Sequence, residues 1–129
     1  MSSLIKWSCI VGSLLLLCMG LFHGSGFSWI SGEITQSNIA PVLKGIFPVL
    51  FIHVSIQLIG LAILGASLIF FQNGIRIIAS FITIMVAANV GLAFWLGAFI
   101  PGIALSCAAI CFGFVAAQPE EQVVSKTDS

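Results

Sequence analysis

Residues 44–71 read KGIFPVLFIHVSIQLIGLAILGASLIFF. From Ile46 on, about 26 residues pass without a formal charge, and at ~1.5 Å of rise per residue that helix covers a hydrocarbon core of ~30 Å. The stretch therefore reads as a membrane-crossing helix, but not as a plain anchor. His53 and Gln57 stand one turn apart and project from the same face. Polar groups are costly in hydrocarbon, so that face is expected to turn inward, continuing through Gly60, Leu64 and Ser67 and leaving Ser55 on the opposite side. Pro48 is expected in the first turn of this span, where a missing N–H costs little.

Downstream, Gln72, Asn73 and Gly74 have turn chemistry. A third apolar run follows from about Ile75 to Gly97, with Arg76 at its start, Asn89 inside it and Trp95 near its end. The short, uncharged GAFIPG (97–102) leads into a fourth run, 101–117, in which Gly102, Ser106, Ala109, Gly113 and Ala117 recur at helical spacing. Small residues in such a stripe let helix backbones approach in lipid. Gly60 and Gly65 are expected to do the same in the second span. The chain closes on QPEEQVVSKTDS (118–129), read as a polar, mobile cytoplasmic tail.

Upstream, a first run extends from Leu4 to about Phe27, opened by Lys6 and the interfacial Trp7. Gly12, Leu16, Met19 and His23 share one face of it. Its start has the order of a secretory signal, but the apolar stretch is long enough to span, and Leu17 stands before Cys18 where a lipoprotein signal carries a small residue; a retained helix is expected. Between the first two spans, 28–45 is the one long polar loop, with Glu33, Lys44 and a short interfacial helix expected over Ser31–Asn38.

The composition agrees with a lipid solvent. Of 129 residues, 60% are hydrophobic and 6% are charged, against about 25% charged in soluble proteins. Four basic and four acidic residues cancel, so no basic patch exists to hold phosphates, and nucleic-acid binding is excluded. Cys9, Cys18, Cys107 and Cys111 all fall in apolar runs without C-x-x-C spacing and read as small apolar side chains; a Cys18–Cys111 disulfide has no further support. The expected fold is all-α, an antiparallel four-helix transmembrane bundle of spans 4–27, 46–71, 75–97 and 101–117.

The strongly polar side chains of the spans are His23, His53, Gln57, Asn89 and Ser106. Counted along the helices at ~1.5 Å per residue, they fall in the half nearest the 28–45 loop, which suggests a pocket roofed by that loop. Three readings stay open. The groups fix helix register by hydrogen bonding to one another. Or they orient the head of a lipophilic molecule whose tail lies among Phe and Leu. Or His23 and His53 together ligate a haem iron or another metal. Catalysis has little footing: no carboxylate lies in any span, and no G-x-S-x-G, H-E-x-x-H, P-loop or dinucleotide fingerprint occurs. A non-enzymatic protein is expected, a lipophile binder or an accessory subunit beside other membrane-protein subunits.

Lys6, Arg76 and Lys126 stand on one side of the four spans and Lys44 on the other. The positive-inside rule then places both termini in the cytoplasm. LFHGSGF (21–27), the polar loop, and LKGIFPVLFIHVSIQLIG (43–60) with its basic residue and interior His resemble the plan of small bacterial four-span membrane proteins, the broad DoxX-like group. That resemblance implies a bacterial inner membrane and a loose link to redox or respiratory membranes; it assigns no functional residue.

Overall fold

The structure, a computed structural model, describes residues 1–71 and 73–119. Gln72 of the expected turn and the tail from residue 120 on, with Lys126, lie outside the described residues. Five helices follow in order: α1 (Ser3–Ser25), α2 (Phe27–Gln36), α3 (Pro41–Ser67), α4 (Ile75–Trp95) and α5 (Phe99–Ala117), with a 3-10 turn at Leu68–Phe70. Among the described residues there is no strand.

Local chemistry sets the ends. Ser2 caps α1, its hydroxyl accepting from the Ile5 N–H at 3.4 Å. The glycines of HGSG stop α1 at Ser25, two residues before the expected end. The chain then does not loop out. It re-enters a helix at once, so α2 occupies the first part of the expected 28–45 loop and starts earlier than the interfacial helix expected over Ser31–Asn38. Pro41 supplies the helix start of α3, well before Ile46, and Lys44 Nζ ties that start to α2 by donating to the Thr35 carbonyl at 2.8 Å. Pro48 therefore lies inside the helix, not in its first turn, and the helix forgoes one backbone hydrogen bond there.

Four segments are long and apolar enough to cross a membrane: Ser3–Gln36, Pro41–Phe70, Ile75–Trp95 and Phe99–Ala117. Their outer faces carry Leu14, Leu21, Ile56, Ile63, Ile77, Ile84, Ile103 and Ile110, all exposed. Water would not tolerate that much contiguous apolar surface, whereas lipid tails match it. The chain is a small, all-α integral membrane protein with four membrane-crossing helices.

Helix α1 packs along both α3 and α5, and α4 packs along α5. Along α1 and α3, Ser13 meets Gly65 while Gly24 meets Ser55, so the two run in opposite senses. Along α4 and α5, Phe94 meets Gly102, Thr83 meets Gly113, and Arg76 Nε donates to the Ala116 carbonyl at 3.3 Å. Arg76 thereby places its charge at the negative C-terminal end of α5. The small-residue stripe of α5 thus meets α4 through Gly102 and Gly113, and Gly102 also belongs to the buried face with Leu105, Ala108, Phe112 and Val115. Gly65 does admit a close neighbour, but Gly60 does not: it is exposed, with nothing near it.

The third and fourth helices, α3 and α4, barely touch although one short turn joins them. Toward the turn end the centre of the bundle is well filled, while an open apolar cleft of about 270 Å³ lies on the outside between α1 and α3, along Leu14, Leu17 and Ile63. Phe112, fully buried, sits against Gly12 and Gly65, and Leu68 and Ile75 close the core beside the turn. At the other end, beneath α2, the gap between α3 and α4 is not filled.

Candidate ligand-binding site

The rotation of α3 decides which of its polar residues look inward. Gly20 of α1 comes so close to α3 that an added Cβ would stand 2.8 Å from Ile59 Cγ1 and 3.2 Å from the Ser55 carbonyl oxygen. Gly24 repeats the approach one turn later, against Ser55 Oγ. These small residues seat the Ser55–Ile59 side of α3 on α1. Positions two apart on a helix point in nearly opposite directions. Ser55 is therefore buried, 3% exposed, and His53 is exposed.

This corrects the inward placement expected for His53. Polarity does not set the rotation; close packing does. Nor is the exposure of His53 expensive at its level in the bundle. Its near neighbour in sequence, Ser55, lies beside Gly24, one residue before α1 ends, and Val54 lies opposite Leu92 and Leu96, where α4 ends. At that height an imidazole can reach the lipid headgroups with its polar edge and leave its ring in apolar surroundings.

His23 does look inward. Its Nδ1 lies 3.1 Å from Ser55 Oγ, and its ring stacks on Phe51 with centroids 4.1 Å apart and planes 23° apart. Phe51 and Ser55 are one turn apart on α3, so a single face of that helix holds the imidazole by an edge and by a flat side. His53 projects from the other side of the same helix. The two histidines do not converge on one point, and the bis-histidine haem or metal arrangement does not fit this geometry. Among the described residues no group of three or more His, Cys, Asp or Glu stands ready for a metal ion. All four cysteines are free.

Beside His23 a cavity of about 180 Å³ opens between α3 and α4. Met19 and Phe22 of α1, Val54 and Leu58 of α3, Asn89 and Leu92 of α4 with Leu96 just past its end, and Leu105 of α5 line it. A wider groove of about 960 Å³ continues under α2, between Ile30 and Ile34 above and Phe47, Leu50 and Phe51 below, with the exposed Glu33 at its rim. His23, Val54, Leu92 and Leu96 line both spaces. The imidazole thus stands at the junction of an inner apolar chamber and an outer apolar groove.

The other expected site residues divide. Asn89 lines the chamber, but its Nδ2 donates to the Met85 carbonyl of its own helix at 2.8 Å. Ser106 likewise donates to its own Gly102 carbonyl at 2.8 Å and does not line either space. Gln57 is half-buried and lines neither space. Ser55, Phe51 and Glu33 were not among the expected site residues. The signal for Ser55 was present in α1: Gly20 and Gly24 form one small-residue face, and such a face demands a close neighbour.

No protein-family model, curated protein or solved structure matches the chain. The site must be interpreted from its own chemistry.

Proposed function

We propose that this protein binds a small lipophilic molecule in the chamber and groove that meet at His23. The observation that carries the proposal is an unfilled, partly open apolar space where α3 and α4 part, with a single anchored imidazole at its junction. Protein interiors are normally packed to crystal density, and an apolar cavity of this order stays dry and takes apolar guests. Apolar walls with few polar groups are the usual make-up of small-molecule sites. The chamber holds an apolar moiety, His23 contacts the polar head, and the groove leads toward the membrane surface under α2. The protein is not an enzyme in this proposal; it holds or presents its ligand.

The proposal includes a membrane orientation. Lys6 and Arg76 lie at the end away from α2, and both termini are placed in the cytoplasm of a bacterium, with α2 at the outer face of the inner membrane. The likeness to the DoxX-like group contributes the bacterial setting alone.

The test is to purify the full chain directly from membranes in polymer nanodiscs and extract its lipophiles for mass spectrometry, beside Val54→Trp. Val54 lines both spaces, so the indole obstructs the junction between them. The expected result is a species enriched over bulk lipid in the native chain and lost in the variant. Identical extracts from two equally folded proteins would overturn the proposal.

A further inference from the structure

The serine that holds His23 differs from three other hydroxyls of the crossing helices. Ser67, Thr83 and Ser106 each donate back to a carbonyl of their own helix, at 2.7, 2.8 and 2.8 Å. That is the usual resting place of a hydroxyl in a helix. Ser55 Oγ makes no such bond among the described residues; its partner is His23 Nδ1. Ser55 is buried, so its hydroxyl proton has nowhere better to go than to that nitrogen. A neutral imidazole that accepts at Nδ1 carries its own proton at Nε2.

We infer that Ser55 fixes His23 as the Nε2–H tautomer, and that the site therefore selects a lipophile whose head is a hydrogen-bond acceptor, a carbonyl foremost. Phe51 covers one face of the ring and Ser55 occupies one nitrogen, so Nε2–H is the polar group His23 has left to offer. Among the described residues it has no protein partner. Asn89, the other polar side chain facing the chamber, spends one of its two Nδ2 hydrogens on its own helix and keeps the second and its amide oxygen. At the junction an acceptor head therefore finds the oriented Nε2–H of His23, whereas an amine head finds no acceptor on the ring and has to reach the Asn89 amide oxygen in the chamber or the Glu33 carboxylate at the rim of the groove. This inference rests on the lipophile-binding proposal and adds the chemistry of the head.

The test uses the full chain in phosphatidylcholine nanodiscs. First, nitrogen NMR of histidine-labelled His53→Gln, which leaves one imidazole to observe, reads the tautomer of His23 above its titration. Protonated Nε2 with an accepting Nδ1 is expected, and Ser55→Ala should broaden this into a mixture. A protonated Nδ1 in the chain that retains Ser55 would overturn the inference. Second, retention of methyl heptadecyl ketone is compared with that of nonadecane and octadecylamine. The ketone should be held about threefold to tenfold more tightly than the alkane, the range of one net hydrogen bond. His23→Phe keeps an aromatic ring on Phe51 and should erase that preference while leaving the alkane in place; Ser55→Ala should reduce it. Equal retention of ketone and alkane sinks the inference but leaves the lipophile proposal standing. Preference for the amine sinks it as well. Retention of none of the three overturns the lipophile proposal and the inference with it.

Discussion

The two ends of this bundle use glycine in the same way and reach different results. At the turn end, Gly12 and Gly65 open a notch between α1 and α3, and the ring of Phe112 from α5 occupies it; an added Cβ would stand 2.8 Å from that ring at Gly12 and closer still at Gly65. Beneath α2, Gly20 and Gly24 again bring α1 onto α3, but no ring from α4 or α5 follows. Phe94, which could have served, packs on Gly102 within the α4–α5 pair. The gap between α3 and α4 stays open as a cavity of about 180 Å³. Close helix pairs are thus common to both ends. What separates a structural layer from a candidate site is whether a third helix supplies the side chain that fills the space.

The sharpest way to break the comparison is to empty the filled end. Phe112→Ala removes a fully buried ring from a notch shaped by two glycines. A loss of about 3 kcal/mol is expected, the low part of the range for Phe→Ala, because lipid rather than water is the alternative surrounding. Reversible unfolding in mixed micelles, followed by circular dichroism, measures it. Gly65→Ala overpacks the same notch, since its new Cβ would meet Phe112 and Ser13 Oγ below 3 Å. The expected cost is about 1–3 kcal/mol. By contrast Val54→Trp, at the open end, should cost little or even stabilise, because the indole enters space already present. Were Val54→Trp to destabilise as much as Gly65→Ala, the two ends would not differ in packing, and the cavity would lose its meaning.

The contrast also explains what the sequence disclosed. Four long apolar runs carrying only Lys6 and Arg76 between them, without the alternation of barrel strands, read as helices, because unpaired backbone groups are intolerable in lipid. His23 was legible as a residue of the α1 packing face, sharing it with Gly12 and Leu16. The rotation of α3 was not legible from His53 and Gln57, because polarity is a poor guide at the level where the neighbouring α1 and α4 end. The true determinants, Gly20 and Gly24 against Ser55 and Gly65 against Phe112, are pairwise matches between distant segments. No single helix announces them. The start of α3 was misplaced for a related reason. Ala40-Pro41 reads in sequence as either a turn or a helix start, and the docking of α2 through Lys44 goes with the second.

Smaller effects test the open end in detail. Ser55→Ala removes the hydroxyl that meets His23 Nδ1. Side-chain hydrogen bonds between membrane helices average about 0.6 kcal/mol in double-mutant cycles, and a cycle with His23→Phe should return a coupling of that size. A coupling indistinguishable from zero would mean that the imidazole is held by Phe51 alone.

The smallest effect belongs to the residue that polarity singles out first. His53→Ala should leave the unfolding midpoint and the retained lipophile unchanged. His53 is exposed, it projects from the side of α3 turned away from α1, and at the level where α1 and α4 end its polar edge is served by headgroups and water. If instead His53→Ala costs more than Ser55→Ala, α3 must be rotated by about half a turn from the arrangement described. Gly20 and Gly24 would then face bulk instead of Ser55, and the cavity could not have its present walls. The order of these two variants therefore decides the rotation of one helix, and with it which histidine the site contains.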